Sequence, residues 1–331
     1  MPDIRDVAKA SGVSIGTVSR VVNGSSAVKE ETRQRVTMAI GKLGYVPNPM
    51  AQGMRTGRSQ SFGILVPSLS YPFFTELVTT VERTCNGAGY TVLICNARED
   101  YRLELLHLRT LISRQIDGLL VSTVSGQAET IAELHTIAKS LPVVLIDRVV
   151  EQVGFSTVTV DGHHGVGLAV KHLADKGHRR IGYVGFPADR VHGHDHLQGF
   201  KDGIKAAGLP INAEWVTEGD LQVEGGYSCG ERLLSLAERP SAIVVANDMM
   251  AVGSMLAARQ GGLHIPGDLA VIGFDDVPVA QLVDPPLTTV AQPIEEMGAE
   301  AVNLILRKIA QPGCRNRHLV LKPELRIRGS A

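Results

Sequence analysis

The residues from Ser14 to Arg20, SIGTVSR, set three hydroxyls and one guanidinium within two turns of a potential helix. Hydroxyls and helix-start amides bond phosphate oxygens, and an arginine fork matches O6 and N7 of guanine. The same segment formally matches G-x-S-x-G from Gly12 to Gly16. A nucleophile elbow requires a strand before the serine, and a helical pattern precedes it here, so hydrolase chemistry is set aside. A second group, His192, His194 and His196 with His163 and His164, has the ligand types of a metal site. Imidazoles clustered in a loop ahead of a helix face solvent or an organic ligand more often than zinc, and no metal is expected. A third group stands at or just beyond the ends of apolar runs: Ser68, Phe73, Phe74, Asn96, Thr123, Asp147, Arg148, Asp161, Asn247, Asp248, Asp275 and Asp276. Polar groups beside two aromatic rings suit a small polar ligand such as a sugar. For each Asp or Asn the competing role is to cap the helix that follows. No P-loop occurs, and no G-x-G-x-x-G follows the first strand, so a nucleotide enzyme lacks its phosphate cradle and no cofactor is expected.

Two kinds of element must position these groups. Asp3 followed by Asp6 predicts a capped helix with Ile4, Val7 and Ala8 on one apolar face. Ser11-Gly12 ends it. Ser14 caps a second helix that turns Val18 and Val21 inward and leaves Ile15, Gly16, Thr17 and Arg20 on the other side. Two short helices joined by a glycine turn are the helix-turn-helix signature, in which the second helix enters a DNA major groove. A third helix from about Glu30, with Val36, Ile40 and Leu43 inside and Gly44 as C-cap, closes a small core. Pro47 and Pro49 end it, and the weakly helical MAQGMRTGRSQS that follows reads as a hinge.

From Ser61 the pattern changes to apolar strands alternating with amphipathic helices. Strands are predicted at 62–67, 91–96, 118–123, 142–147, 156–161, 180–185, 242–248 and 269–276. Continuous Val, Ile and Leu runs separated by helices mean buried parallel sheets. Eight strands suit two doubly wound subdomains in tandem, with the change near Asp161-Gly162. An irregular connection from Val277 to Gln292 and a long helix at 294–310 favour two lobes over a (β/α)₈ barrel. The expected fold is a small all-α helix-turn-helix head on an α/β body of two doubly wound parallel-sheet subdomains. Ligands in such sheets sit beyond the carboxyl ends of the strands.

Charge agrees with this division. Across 331 residues the formal net charge is −1, yet residues 1–59 carry nine Lys and Arg against four Asp and Glu, leaving 24 against 30 elsewhere. A basic head on an acidic body is the asymmetry of a nucleic-acid contact at one end. Cys85, Cys95, Cys229 and Cys314 form no C-x-x-C pair, which favours reduced thiols over a disulfide frame or zinc site. The N-terminus shows no apolar signal core, and no run approaches the roughly 18 apolar residues of a membrane span. A cytoplasmic protein is expected.

The motifs IRDVAKASGVSIGTVSRVVNG, KEETRQRV, IGKLGYVPN, RTGRS, YPFF, IDR, GHRRIGYVG, ANDMMAVG, VIGFDD and LTTVAQP occur in this order. Taken together, the sequence resembles the lactose/galactose-repressor (LacI) family of bacterial transcription regulators over essentially its full length. The resemblance implies a homodimer, with no leucine-rich tail to build tetramers, whose heads dock on a palindromic operator. It implies a periplasmic-binding-protein-like body that holds a sugar-like effector in its cleft. The implied division is a DNA-binding domain at 1–47, a hinge at 48–60, one effector subdomain at 61–161 with 293–322, and another at 162–292 with 323–331. Ile15, Gly16 and Arg20 fall where the family faces bases. Ser14, Thr17, Ser19, Asn23 and Asn48 fall on phosphate positions, Tyr45 joins the DNA-contacting set, and Ala51 and Met54 fall in the minor-groove hinge. For the effector, Phe73, Phe74, Asp147, Arg190, Asn247 and Asp275 match contact positions, and Thr123 joins them from a strand end. His196 replaces a common arginine, and Leu221 stands where a Trp or Phe often stacks, which argues against a purine. The implied protein is a metabolite-controlled repressor and not an enzyme. A plain solute-binding protein and an effector-independent regulator are the alternatives.

Overall fold

The computed structural model describes residues 2–22, 25–45, 58–124, 126–148, 154–186 and 193–331. They divide into two compact units, Met1–Ser59 and Gln60–Ala331.

In the first unit, α1 (Ile4–Ser11), α2 (Ile15–Val22) and α3 (Glu30–Leu43) enclose Val7, Val18 and Val36, all fully buried. Local chemistry sets their ends. The Asp3 carboxylate accepts from the Arg5 and Asp6 amides while the Asp6 carboxylate accepts from the Asp3 amide, a reciprocal capping box. Gly12 terminates α1 with φ 65°, a left-handed conformation that strains any residue with a Cβ. Gly44 does the same for α3 at φ 62°. The helix limits expected from sequence are observed.

The second unit holds two six-stranded sheets. The first is ordered β11-β5-β4-β3-β1-β2: β1 (Ser61–Val66), β2 (Thr91–Asn96), β3 (Gly118–Val121), β4 (Val143–Ile146), β5 (Ser156–Val160) and β11 (His318–Leu321). All five pairings are parallel. The second is ordered β12-β10-β9-β8-β6-β7: β6 (Ile181–Gly185), β7 (Val216–Glu218), β8 (Ala242–Val245), β9 (Ala270–Asp275), β10 (Thr288–Ala291) and β12 (Glu324–Arg326). Only its β10–β12 pairing is antiparallel.

Helices cover both sheets. The first lobe carries α4 (Pro72–Gly87), α5 (Tyr101–Ser113), α6 (Ala128–Ile137) and α12 (Ile294–Ala310). The second carries α7 (Gly162–Asp175), α8 (Gly193–Ala206), α9 (Val223–Leu234), α10 (Asp248–Gln260) and the single turn α11 (Val279–Leu282). Burial of α4 and α12 against β1, β3 and β4 brings Phe74, Leu77, Val302 and Ile305 into one core with Ile64 and Val144. The chain passes between lobes after β5, between β10 and α12, and between β11 and β12. Sequence patterning missed β7, β10, β11 and β12. Each is three or four residues long, too short to show a period. The stretch read as an irregular connection, Val277 to Gln292, therefore contains both α11 and β10.

Candidate functional site

On the head, α2 presents Ile15, Gly16 and Arg20 to solvent, with Ile15 46% exposed. A Cβ added at Gly16 would meet only Ser14 Oγ, at 3.8 Å, so the helix backbone is open to close approach. Ser14 Oγ accepts from the Thr17 amide at 3.2 Å and lies 3.0 Å from Thr17 Oγ1. It is the N-cap of a helix preceded by another helix, which disposes of the nucleophile-elbow reading. Thr17 and Ser19 are half-buried, and Tyr45 packs against the head core. Asn23, Asn48, Ala51 and Met54 lie outside the described residues.

In the body, a narrow cleft with about 50 Å³ of free space lies at the carboxyl ends of both sheets. The loops after β1, β4 and β5 bring Tyr71, Phe73, Phe74, Asp147, Arg148 and Gly162. From the second sheet and its helices come Phe186, Asp195, His196, Leu221, Phe274, Asp275 and Gln292. Of the effector residues expected from sequence, Phe73, Phe74, Asp147, His196, Leu221 and Asp275 are thus brought together. Arg190 is outside the described residues.

Two of the expected effector residues, Thr123 and Asn247, are not among the side chains that line this cavity. Thr123 is fully buried, donates to the Arg148 carbonyl at 3.3 Å, and is absent from the described cavity wall. Asn247 is also fully buried and absent from that wall; its Oδ1 accepts from the Met250 amide at 2.8 Å and its Nδ2 donates to the Leu221 carbonyl at 3.1 Å. It caps α10 and holds Leu221, whose φ of 74° is rare for a branched side chain. Asn247 serves the wall from behind.

The electrostatics follow from burial. Arg148 donates to both oxygens of Glu99, at 3.0 and 3.1 Å, and lies 5.4 Å from the centre of the Phe74 ring. This fork clamps the first lobe's rim. Among the described lining residues, the carboxylates of Asp147, Asp195 and Asp275 then outnumber that one guanidinium. Asp275 is 4% exposed, and desolvation pushes its carboxyl well above the usual range despite a 2.5 Å bond from Gln292 Nε2. Its other oxygen accepts from the Tyr71 hydroxyl of the first lobe. Next to it, Asp276 Oδ1 meets Arg328 Nη2 at 2.6 Å.

His196 sits between Phe186 and Phe274, with ring centroids 5.1 and 4.6 Å away. It occupies the first turn of α8, so the expected histidine loop is already helical from Gly193. A Cβ at Gly162 would fall 2.4 Å from His196 Nε2, so the glycine makes room for this ring. His163 pairs with Asp202 at 3.0 Å outside the cavity. Among the described residues no group of three or more His, Cys, Asp or Glu is placed to hold a metal. Tyr71, Phe186, Asp195, Phe274 and Gln292 were not singled out as cavity residues from sequence, although Tyr71 and Gln292 sit inside the motifs YPFF and LTTVAQP; Arg148 was among the polar groups expected at strand ends.

A helix-turn-helix head joined to a two-lobed body with a polar cavity is the build of a ligand-responsive DNA-binding regulator. Residues 3–48 match the lacI family of bacterial regulatory proteins, and residues 170–331 match a periplasmic binding protein-like domain. The ribose operon repressor of Escherichia coli strain K12 is 35% identical over 331 residues, covering 100% of both chains. The HTH-type transcriptional repressor PurR of Mannheimia succiniciproducens is 35% identical over 330 residues, covering 100% of this chain and 98% of its own. Among solved structures, a lac repressor dimer bound to operator and the anti-inducer ONPF superposes with a TM-score of 0.90 at 27% identity, covering 99% of this chain and 98% of that one. A regulator from Enterococcus faecium with bound ribose gives 0.73 at 27% identity, covering 82% and 98%. The chain belongs to the lacI family and is a DNA-binding transcriptional regulator, a class without enzymatic activity. Among the described residues no helix is long and apolar enough to cross a membrane.

Proposed function

We propose that this chain is a cytoplasmic repressor that binds a palindromic operator as a homodimer and is controlled by a neutral sugar or related polyol held between its lobes. The observation that carries the ligand class is the cavity wall, where three carboxylates alternate with aromatic rings. Carboxyl groups bond hydroxyls whether ionised or not, and among the described lining residues the one guanidinium is already paired with Glu99, which favours neutral sugars over sugar acids and phosphates. Aliphatic Leu221 offers no flat ring for a purine. Ribose bound to a similar regulator supports the same class.

In this reading the chain divides into a head at 1–47, a hinge at 48–60, a first lobe at 61–161 with 293–322 and a second at 162–292 with 323–331. Arg20 reads a guanine beside Ile15 and Gly16, while Ser14, Thr17, Ser19, Asn23, Tyr45 and Asn48 hold the backbone. Ala51 and Met54 enter the minor groove at the operator centre. Phe73, Phe74, Asp147, Arg190, His196, Leu221 and Asp275 hold the effector.

The test is a thermal-shift screen of the full chain against sugars, polyols, sugar acids, nucleosides and divalent metals, followed by operator binding with and without the hit. A neutral sugar that stabilises the chain and changes operator affinity supports the reading. A nucleoside or a metal as the sole hit would overturn it. Specific DNA binding with no small-molecule hit favours an effector-independent regulator; ligand binding without DNA binding favours a plain solute-binding protein.

A further inference from the structure

Asp275 stands at the carboxyl end of β9 in the second lobe, with both oxygens already occupied. Gln292 Nε2, at the end of β10, donates to Oδ1 at 2.5 Å. The Tyr71 hydroxyl, at the start of α4 in the first lobe, donates to Oδ2. Tyr71 is 7% exposed and Asp275 4%, so the bond is largely shielded from bulk water. The Tyr71 ring is itself fixed, 6.2 Å from Phe73 and 5.9 Å from Phe74 between centroids. Beside the bond, Val277 of the second lobe is fully buried in the apolar cluster of the first, together with Phe73 and Phe74. Among the described residues the lobes thus meet through the Tyr71–Asp275 bond and an apolar plug that seats Val277 on the first lobe's core, with Met249 and Val279 beside it.

We infer that the Tyr71 hydroxyl is a built-in occupant of the effector carboxylate, closing the two lobes in the absence of ligand. The inference rests on the reading of this cavity as the effector site. Opening the lobes takes the Tyr71 hydroxyl away from Asp275 Oδ2 and leaves Gln292, on the other oxygen, as the carboxyl's one donor among the described residues; a buried acceptor left unmatched is costly. A ligand hydroxyl that reaches Asp275 Oδ2 exchanges with Tyr71 and meets a cleft already shut. Tyr71 is thus a positioning and specificity residue: only a ligand whose hydroxyl replaces its own gains at that oxygen. A ligand lacking a donor there leaves the tie in place.

The experiment is hydrogen–deuterium exchange on the ligand-free full chain, read by mass spectrometry at segments 71–75 and 274–279. Tyr71→Phe keeps the ring and removes the hydroxyl. Exchange is expected to rise about tenfold at both segments, the scale of one net buried hydrogen bond. The head and the β6–β7 edge serve as unchanged references. Asp275→Ala is expected to match Tyr71→Phe, and the double variant to add nothing further, because both remove one bond. Asp275→Asn retains an acceptor for Tyr71 and is expected to stay close to wild type, a contrast that separates the tie from loss of packing alone. Equal exchange in wild type and Tyr71→Phe overturns the inference. So does additivity of the two single variants. No ligand enters this test, so a chain that bound no sugar would sink the effector reading and leave the tie standing.

Discussion

Asp248 offers the sharpest quantitative test of the body's architecture. It opens α10 with its carboxylate fully buried, accepting from Thr289 Oγ1 at 2.5 Å and from the Val277 amide at 2.9 Å. Burial pushes its pKa from 3.8 up to about 7, even though both of those donors favour the ionised form. In the unfolded chain the carboxyl ionises near 3.8; in the folded chain it keeps its proton until about pH 7. The folded state therefore binds the extra proton, and its stabilisation is complete below pH 3.8 and lost as pH rises through about 7. The full difference corresponds to about 4 kcal/mol, of which roughly 2–3 kcal/mol disappears between roughly pH 5 and pH 8. Asp248→Asn holds the same contacts without titrating, since its amide oxygen accepts from Val277 and its amide nitrogen donates to Thr289. Urea unfolding of both proteins at pH 5, 6, 7 and 8, at one protein concentration, isolates the effect as a difference. Other raised carboxyls (Glu76, Glu104 and Asp275) and the lowered His172 and His178 are common to both proteins and cancel. The stability of wild type relative to Asp248→Asn is expected to fall by roughly 2–3 kcal/mol across that range. A difference that stays flat with pH would refute the reasoning.

Three further outcomes are expected. Val18→Ala removes two methyl groups from a six-residue head core and should destabilise the head by roughly 1.5–2.5 kcal/mol while leaving the body transition unchanged, as two separately melting signals would show. Arg148→Lys replaces a two-bond fork with a point donor and loses the flat contact over Phe74. A cost of roughly 1–2 kcal/mol is expected by chemical denaturation. Gly162→Ala places a methyl 2.4 Å from His196 Nε2, so the ring must leave its position; ligand binding measured by calorimetry should weaken at least several-fold with the melting temperature moved by only a few degrees, consistent with an overpacking cost of roughly 1–3 kcal/mol.

The head was legible because its signals are local. Asp3, Gly12, Ser14 and Gly44 each act within four residues of where they stand, and the structure uses all four at helix ends. The parallel strands were legible because burial on both faces leaves unbroken apolar runs such as Ile64–Val66 and Ile243–Val245. The cavity was only half legible. Its wall draws on segments near 71, 147, 162, 186, 195, 221, 274 and 292, and topology alone brings these together. Polar residues at strand ends were ambiguous between ligand and cap, and the structure divides them. Asp147 and Asp275 line the cavity, whereas Asn247 and Asp161 accept from the Met250 and His164 amides as caps. Nothing in a lone sequence distinguishes these cases, because the difference lies in what packs in front of each side chain.

Three consecutive residues after β9 show how tightly the cavity is joined to the lobe contact. Asp275 is held by Tyr71 and Gln292, Asp276 by Arg328, and the Val277 amide by Asp248. Asp275 and Asp276 sit at φ 109° and 62°, backbone conformations that non-glycine residues keep only when their surroundings over-determine them. Here four partners from four different segments do so. A turn fixed at so many points has no soft direction in which to absorb a change at Asp275. Exchange of a ligand hydroxyl for Tyr71 at one oxygen must therefore move either the Arg328 pair or the Val277 plug in the first lobe. Arg328 is anchored twice more, to the Leu287 carbonyl at 2.9 Å and through its amide to Thr289's neighbour Thr288 at 2.9 Å. Of the two, the apolar plug has no directional bonds of its own side chain to break, so it is the contact expected to give when the Tyr71 bond is exchanged.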